Sequence, residues 1–224
     1  RLLRRPSPRG RESLLQAPRF AAHSGETVDA VLDSCERLAE DVFAPCHQLG
    51  DRNEPQFDGE RVSQPAEIAT AVRAFADSGL LAATQDEAVG GMQLPEVVEK
   101  AALAYLYAAN IGACAYPALT MGNASLLLAH GTPAQVDAFA LPQLRGEWTG
   151  TMCLSEPQAG SSLSDITTRA DHEGESRFGP QYRLSGRKMW ISGGEHEILG
   201  NIVHLVLAKL PGEDGKLPPG TRGI

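Results

Sequence analysis

From Thr27 onward, apolar residues return every three or four positions: Val28, Val31, Leu32, Cys35, Leu38, Ala39, Val42 and Phe43. That period places them on one stripe and predicts an amphipathic helix. Thr27 is the expected N-cap, Asp29 lies near the positive end of the dipole, and Pro45 marks the end. A second helix is expected from Pro65, with Ile68, Ala71, Val72 and Phe75 as its stripe and Gly79 as its C-terminal cap. The paired glycines of 87–94 (EAVGGMQL) predict a loop. A third helix opens at Pro95 and carries Val98, Ala101, Ala102, Tyr105, Leu106 and Ala109. A fourth covers roughly 117–130 and stops at Gly131. In the fifth, Thr132 caps, Pro133 takes the first position and Gln135 reaches back as in a capping box. It runs to the Gly146 stop and is bent or terminated by Pro142.

The pattern changes after residue 147. Residues 148–155 alternate and read as a strand, as do 181–185 (QYRLS) and 187–192 (RKMWIS). Residues 202–210 are apolar on both faces, which predicts a strand buried on both sides. The expected fold class is α+β and multi-domain: an N-terminal all-helical bundle over 27–147, then a β-barrel-like domain over 148–224. Residues 1–26 read as a flexible Arg-rich terminus. The run 218–223 (PPGTRG) looks like a turn into a further strand. A sheet ending there would keep an unpaired edge, so the β domain is expected to be incomplete and the natural polypeptide to continue.

Composition narrows the classes. A net charge of −8 over 224 residues argues against nucleic acid as the main partner. No uninterrupted apolar run reaches the length that spans a bilayer. The charge is uneven: residues 1–19 hold six arginines and one acid, which leaves 14 basic and 27 acidic residues in the remainder. Such an Arg-rich, Ser-containing start is either a plain flexible end or an organellar transit peptide. The four cysteines, Cys35, Cys46, Cys114 and Cys153, form no CxxC pair, and the neighbours Cys46 and His47 do not face one way. No metal site is expected. A reduced, cytoplasmic protein is the simplest reading, or a mitochondrial-matrix one if residues 1–19 are a transit peptide.

The candidate chemistry gathers at 153–162, CLSEPQAGSS. It lacks the first glycine and the lysine of a phosphate loop, and it is no GxSxG elbow. No histidine stands at a spacing that marks it as a base for Ser161. What remains is a loop whose backbone N–H groups and hydroxyls bind a ligand. Strand periodicity puts Thr151, Cys153 and Ser155 on one face, and Met152, Leu154 and Glu156 on the other. Glu156 reads as structural, bonding the loop's own amides. Trp190 and Ser192 share a face opposite Met189 and Ile191, so the indole either lines a flat aromatic cofactor or fills the β core. GGEHE at 193–197 reads as a turn rather than a metal site, and His204 as a core histidine.

Two ordered segments carry a resemblance. MCLSEPQAGSS at 152–162 resembles the flavin-binding signature of acyl-CoA dehydrogenases, an extended run ending TEP-x-AGSD. YRLSGRKMWIS at 182–192 resembles that family's next signature, Y-x-L-x-G-x-K-x-W-I-[ST]. YPALT at 116–120, HGT at 130–132, GEWTGTM at 146–152 and SGGEHEILGNIVHLVLAK at 192–209 look like the methylmercaptopropionyl-CoA dehydrogenase-like branch. The resemblance covers roughly 27–224.

It implies FAD as cofactor and α,β-dehydrogenation of an acyl-CoA thioester, with the proton leaving Cα and hydride passing from Cβ to flavin N5. Met152, Leu154 and Ser155 would meet the ring edge through backbone N–H groups, with the Ser155 hydroxyl adding a bond. Gly160 and Ser161 belong to the same loop, and Ser161 would meet the CoA moiety or the flavin pyrophosphate. Trp190, Ile191 and Ser192 would flank the ring. Ser155 and Ser192 replace the usual threonines, and Ser162 the usual aspartate. The family's base is a carboxylate in a C-terminal helical domain, so no catalytic base is expected within this chain and the 224 residues alone are expected to be inactive. The implied partners are an acyl-CoA, an electron-transfer-flavoprotein-like acceptor, and further copies in a homodimer or homotetramer. The competing readings are a flavin oxidase or monooxygenase on the same scaffold, and a short non-catalytic acyl-CoA- or partner-binding protein.

Overall fold

Ser24, not Thr27, starts the first long helix in the computed structural model, which describes residues 13–224. The Ser24 hydroxyl accepts from the Thr27 amide and Thr27 Oγ1 accepts from the Ser24 amide, a reciprocal box that moves the helix start forward. Helix α1 (Gly25–Leu38) passes through a wide π-type turn, Ala39–Phe43, into α2 (Ala44–Arg52). Pro45 therefore opens α2 instead of ending α1. The wide turn just before it breaks the regular hydrogen-bond pattern where the proline lacks an N–H. Much of the expected terminus, residues 1–12, lies outside the described residues. Nearer the bundle, Arg19 pairs with Asp86, and His23 Nε2 bonds the Met92 carbonyl at 2.8 Å.

A small ribbon, β1 (Gln56–Phe57) with β2 (Val62–Ser63), leads into α3 (Ala66–Asp77). Gly79 follows with φ +76°, the left-handed cap expected of it. The expected third and fourth helices are halves of one long element, α4 (Glu96–His130), broken at Asn110 (φ −161°, ψ 92°). Asn110 caps the second half from within: its Oδ1 accepts from the Ala113 amide at 3.0 Å while its Nδ2 donates to the Phe43 carbonyl. The Thr132–Gln135 capping box forms as expected and starts α5 (Pro133–Gln135). A second wide turn, Val136–Ala140, leads to α6 (Leu141–Leu144), which Pro142 opens.

The helical core gathers Val28, Leu32, Phe43, Ala71, Phe75, Val98, Leu106 and Cys114. Burying Phe43, Phe75 and Leu106 contributes roughly 1.5–3 kcal/mol each. By length and composition α4 is apolar enough to cross a membrane. Here it is the central helix, with Val98, Ala102, Leu106, Ala113 and Ala124 buried in the core. All four cysteines are buried free thiols.

In the β half, β3 (Thr149–Cys153) pairs in parallel with β6 (Ile202–Val206), and β4 (Arg169–Ser176) pairs antiparallel with β5 (Gly179–Ser185). Among the described residues these strands form separate two-stranded sheets and do not close a barrel. Two local expectations change. Residues 187–192 are not a strand, because Lys188 and Met189 bond back to residues 154–156 and Trp190 turns left-handed at φ +58°. Residues 202–210 are a strand only to Val206, and its side chains are half-buried, with His204 exposed, rather than buried on both faces.

Polar side chains dock the strand that starts the β half onto the helices. Asn123 Nδ2 donates to the carbonyls of Thr151 (3.0 Å) and Val203 (2.8 Å), and Gln143 Nε2 donates to Asn123 Oδ1. The Gly150 amide donates to Thr120 Oγ1 at 3.0 Å. Gly150 must be glycine here, since a Cβ would lie 2.1 Å from Gln143 Oε1 and 2.6 Å from Asn123 Cβ.

Candidate functional site

Strand β3 alternates as its sequence requires. Thr151 and Cys153 are buried, while Met152 between them keeps 37% of its surface exposed. Past the strand, Leu154 and Ser155 are half-buried and the chain reaches Glu156, which is 1% exposed. The Glu156 backbone closes a tight turn, exchanging hydrogen bonds with Ala159.

The Glu156 carboxylate organises everything behind this turn. Its Oε2 accepts from the Thr167 amide (2.7 Å), Thr167 Oγ1 (2.9 Å) and Gln158 Nε2 (2.8 Å). Its Oε1 accepts from the Thr168 amide (3.0 Å) and from Lys188 Nζ (2.9 Å). Burial alone would raise its pKa, but the bonds from Thr168, Lys188 and Thr167 outweigh burial and hold it well below the usual carboxylate range. The role expected for Glu156, bonding the loop's own amides, is what the geometry gives, and Lys188 extends it.

Lys188 and its neighbour join the two sequence segments. Lys188 Nζ also donates to the Leu154 carbonyl (2.9 Å), and the Met189 amide donates to the Ser155 carbonyl (3.0 Å). The chain then turns through Trp190, whose side chain projects with 76% of its surface exposed, followed by half-buried Ile191 and exposed Ser192. Trp190 is therefore no core residue. Met152, Leu154 and Ser155 lie on one of two segments joined by these bonds, and Trp190, Ile191 and Ser192 on the other. Gly160 and Ser161 lie farther along the turn, with open space over Gly160 and Ser161 exposed. Ser162 donates to Asp165 Oδ2 at 2.7 Å, so a carboxylate three residues on fixes the loop.

Two histidines bond threonines of β3. His196 is buried, bonded to Thr149 Oγ1 and edge-on to the Tyr116 ring, and burial pushes its pKa down. His204 is exposed rather than a core residue, and its Nδ1 bonds Thr151 Oγ1.

Reading the sequence alone left Lys188, Thr167 and Thr168 without a role. The signal for Lys188 was its place two residues before Trp190. The two threonines carry no local pattern.

The helical half supplies an independent identification, because residues 25–147 match the model for the N-terminal domain of acyl-CoA dehydrogenases. The chain belongs to the acyl-CoA dehydrogenase family. This acyl-CoA dehydrogenase chain is 37% identical over 196 residues to the 3-methylmercaptopropionyl-CoA dehydrogenase of Ruegeria pomeroyi, covering 87% of this chain and 32% of that protein. It is 32% identical over 203 residues to a butyryl-CoA dehydrogenase of Syntrophomonas wolfei, covering 89% of this chain and 32% of that protein. An acyl-CoA dehydrogenase of Bacillus anthracis, solved in complex with FAD, shares its fold with a TM-score of 0.65 at 22% identity, over 87% of this chain and 30% of that one. The chain spans about a third of the length of the curated relatives it matches.

Proposed function

We propose that this chain forms one wall of the flavin site of an FAD-dependent enzyme that dehydrogenates the Cα–Cβ bond of an acyl-CoA thioester. The observation that carries the reading is the joining of 152–162 to 182–192 through the Met189 amide and the Ser155 carbonyl. The names of the relatives from Ruegeria pomeroyi and Syntrophomonas wolfei support the substrate class, and the FAD of the Bacillus anthracis structure supports the cofactor.

The donor set suits one side of a flat ring with polar edges. Among the described residues, nothing accepts the Ser155 N–H. Trp190 offers an exposed aromatic face, and Gly160 leaves room for close approach. Met152, Leu154 and Ser155 would hold the ring edge, with Trp190, Ile191 and Ser192 beside it, and Ser161 would take the CoA or pyrophosphate end. When bound, FAD supplies the acceptor for the two electrons that leave Cβ with its hydrogen. The residues of this chain orient the ring and stabilise the charge it gains. Glu156 is not the base for the Cα proton, because five donors occupy both its oxygens and weaken its basicity, and it is buried out of reach. The base is assigned to a carboxylate outside this chain, and the electrons to an external electron-transfer-flavoprotein-like acceptor.

The test is made on the full-length protein. It should purify with bound flavin, and acyl-CoA thioesters added without oxygen should bleach the flavin absorbance. A protein that holds no flavin, or whose flavin no acyl-CoA bleaches, defeats the reading. Rapid peroxide release in air would point to an oxidase instead.

A further inference from the structure

The Met189 amide joins the two segments, and Lys188 has a separate effect on them. Its ammonium, on a side chain only 12% exposed, donates to the Leu154 carbonyl and to Glu156 Oε1, each at 2.9 Å. The Leu154 carbonyl and the Ser155 N–H belong to one peptide unit. A cation on the carbonyl end draws electron density toward that oxygen and leaves the N–H end a stronger donor. That N–H has no acceptor among the described residues. Glu156 makes the arrangement rigid, because its remaining bonds to Thr167, Thr168 and Gln158 leave the carboxylate no other position.

We infer that Lys188, held by Glu156, is a positioning residue that raises the reduction potential of the flavin by polarising the 154–155 peptide. The inference rests on the flavin reading of these segments. Two electrons entering the ring raise its negative charge, so a sharpened donor favours the reduced form over the oxidised one. Its effect differs from that of a structural lysine. A lysine that only braced the loop would change affinity for both flavin forms equally and leave the potential where it was.

The experiment measures FAD affinity and flavin midpoint potential, by equilibration with a reference dye, in the full-length protein. The variants are Lys188→Met, Lys188→Arg, and the double variant Lys188→Met with Glu156→Gln. The double variant removes both buried charges, so it keeps the test alive if the single one fails to fold. Losing the cation is expected to cut the preference for reduced over oxidised flavin about tenfold, which lowers the potential by about 30 mV for a two-electron couple. Lys188→Arg should retain most of the wild-type potential. A flavin-loaded Lys188→Met or double variant with the wild-type potential overturns the inference and leaves the flavin reading standing. A wild-type protein that binds no flavin overturns both.

Discussion

The Lys188 ammonium lies 2.9 Å from the Leu154 carbonyl oxygen and 2.9 Å from the Glu156 carboxylate. One side chain thus links the end of a strand, a buried anion and a segment more than thirty residues later. Glu156 stays ionised because its bonds supply what water would otherwise give.

That carboxylate sets the acid stability. Its folded pKa is depressed, so its contribution is present above the unfolded value near ~4.3 and is lost as pH falls below it toward the folded value. Urea unfolding across pH 3–7 should show wild-type stability falling at the acid end. In Glu156→Gln that fall should be shallower, from a lower plateau. Glu156→Ala should cost about 3 kcal/mol at neutral pH, since it strands the Lys188 charge. Equal acid slopes in wild type and Glu156→Gln would remove Glu156 from this role.

Gly150 and Gly25 make a matched pair. A methyl group at 150 would overlap Gln143 Oε1 and Asn123 Cβ, whereas at 25 nothing lies within 4 Å. Gly150→Ala should cost about 2 kcal/mol or more, seen as a lower melting temperature. Gly25→Ala, at the start of α1, should be neutral or slightly stabilising. A melting temperature unmoved by Gly150→Ala would mean that the helices do not grip β3 as described.

Asn110 should behave as an internal cap. Asn110→Ala removes the bond to the Ala113 amide and leaves the Phe43 carbonyl with one donor fewer, at a cost of about 1–2 kcal/mol. Chemical denaturation would show the loss as a lower midpoint at unchanged slope. Stability equal to wild type would mean that the break in α4 needs no side chain.

Trp190 separates fold from binding. It is exposed and holds a left-handed backbone that glycine adopts freely. Trp190→Gly should leave the melting temperature within about 1 °C or raise it, because the strain of a non-glycine residue there is about 1 kcal/mol. The same variant should bind FAD at least several-fold more weakly in a fluorescence titration of the full-length protein. Unchanged affinity would take Trp190 out of the proposed flavin wall.

The sequence was most informative where the determinants are local. The Thr132–Gln135 box, the Gly79 cap and the stripe from Val28 to Phe43 each depend on neighbours within a few residues. It failed where a helix changes its hydrogen-bond pattern, where a partner is remote, or where a strand is polar on both faces. Pro45 reads as a stop, yet the wide turn before it lets the helix resume. The break at Asn110 depends on the Phe43 carbonyl 67 positions away. Residues 187–192 alternate like a strand, but the bonds of Lys188 and Met189 to residues 154–156 pull them into a turn. Strand β4 escaped notice because RADHEGES is polar on both faces. For the candidate site, the two signature segments were visible in advance. The buried anion that joins them was visible only as a loop-bonding glutamate.

The docking of β3 by Asn123, Gln143 and Gly150 also bears on module exchange. An amide and a carbonyl of the strand are read by Thr120 and Asn123 of α4, and Gln143 of α6 holds Asn123, so these positions and Gly150 form a matched set across the junction. A hybrid that takes its helices from one relative and its strands from another would need to carry that set intact for the two joined segments to be presented at the same height.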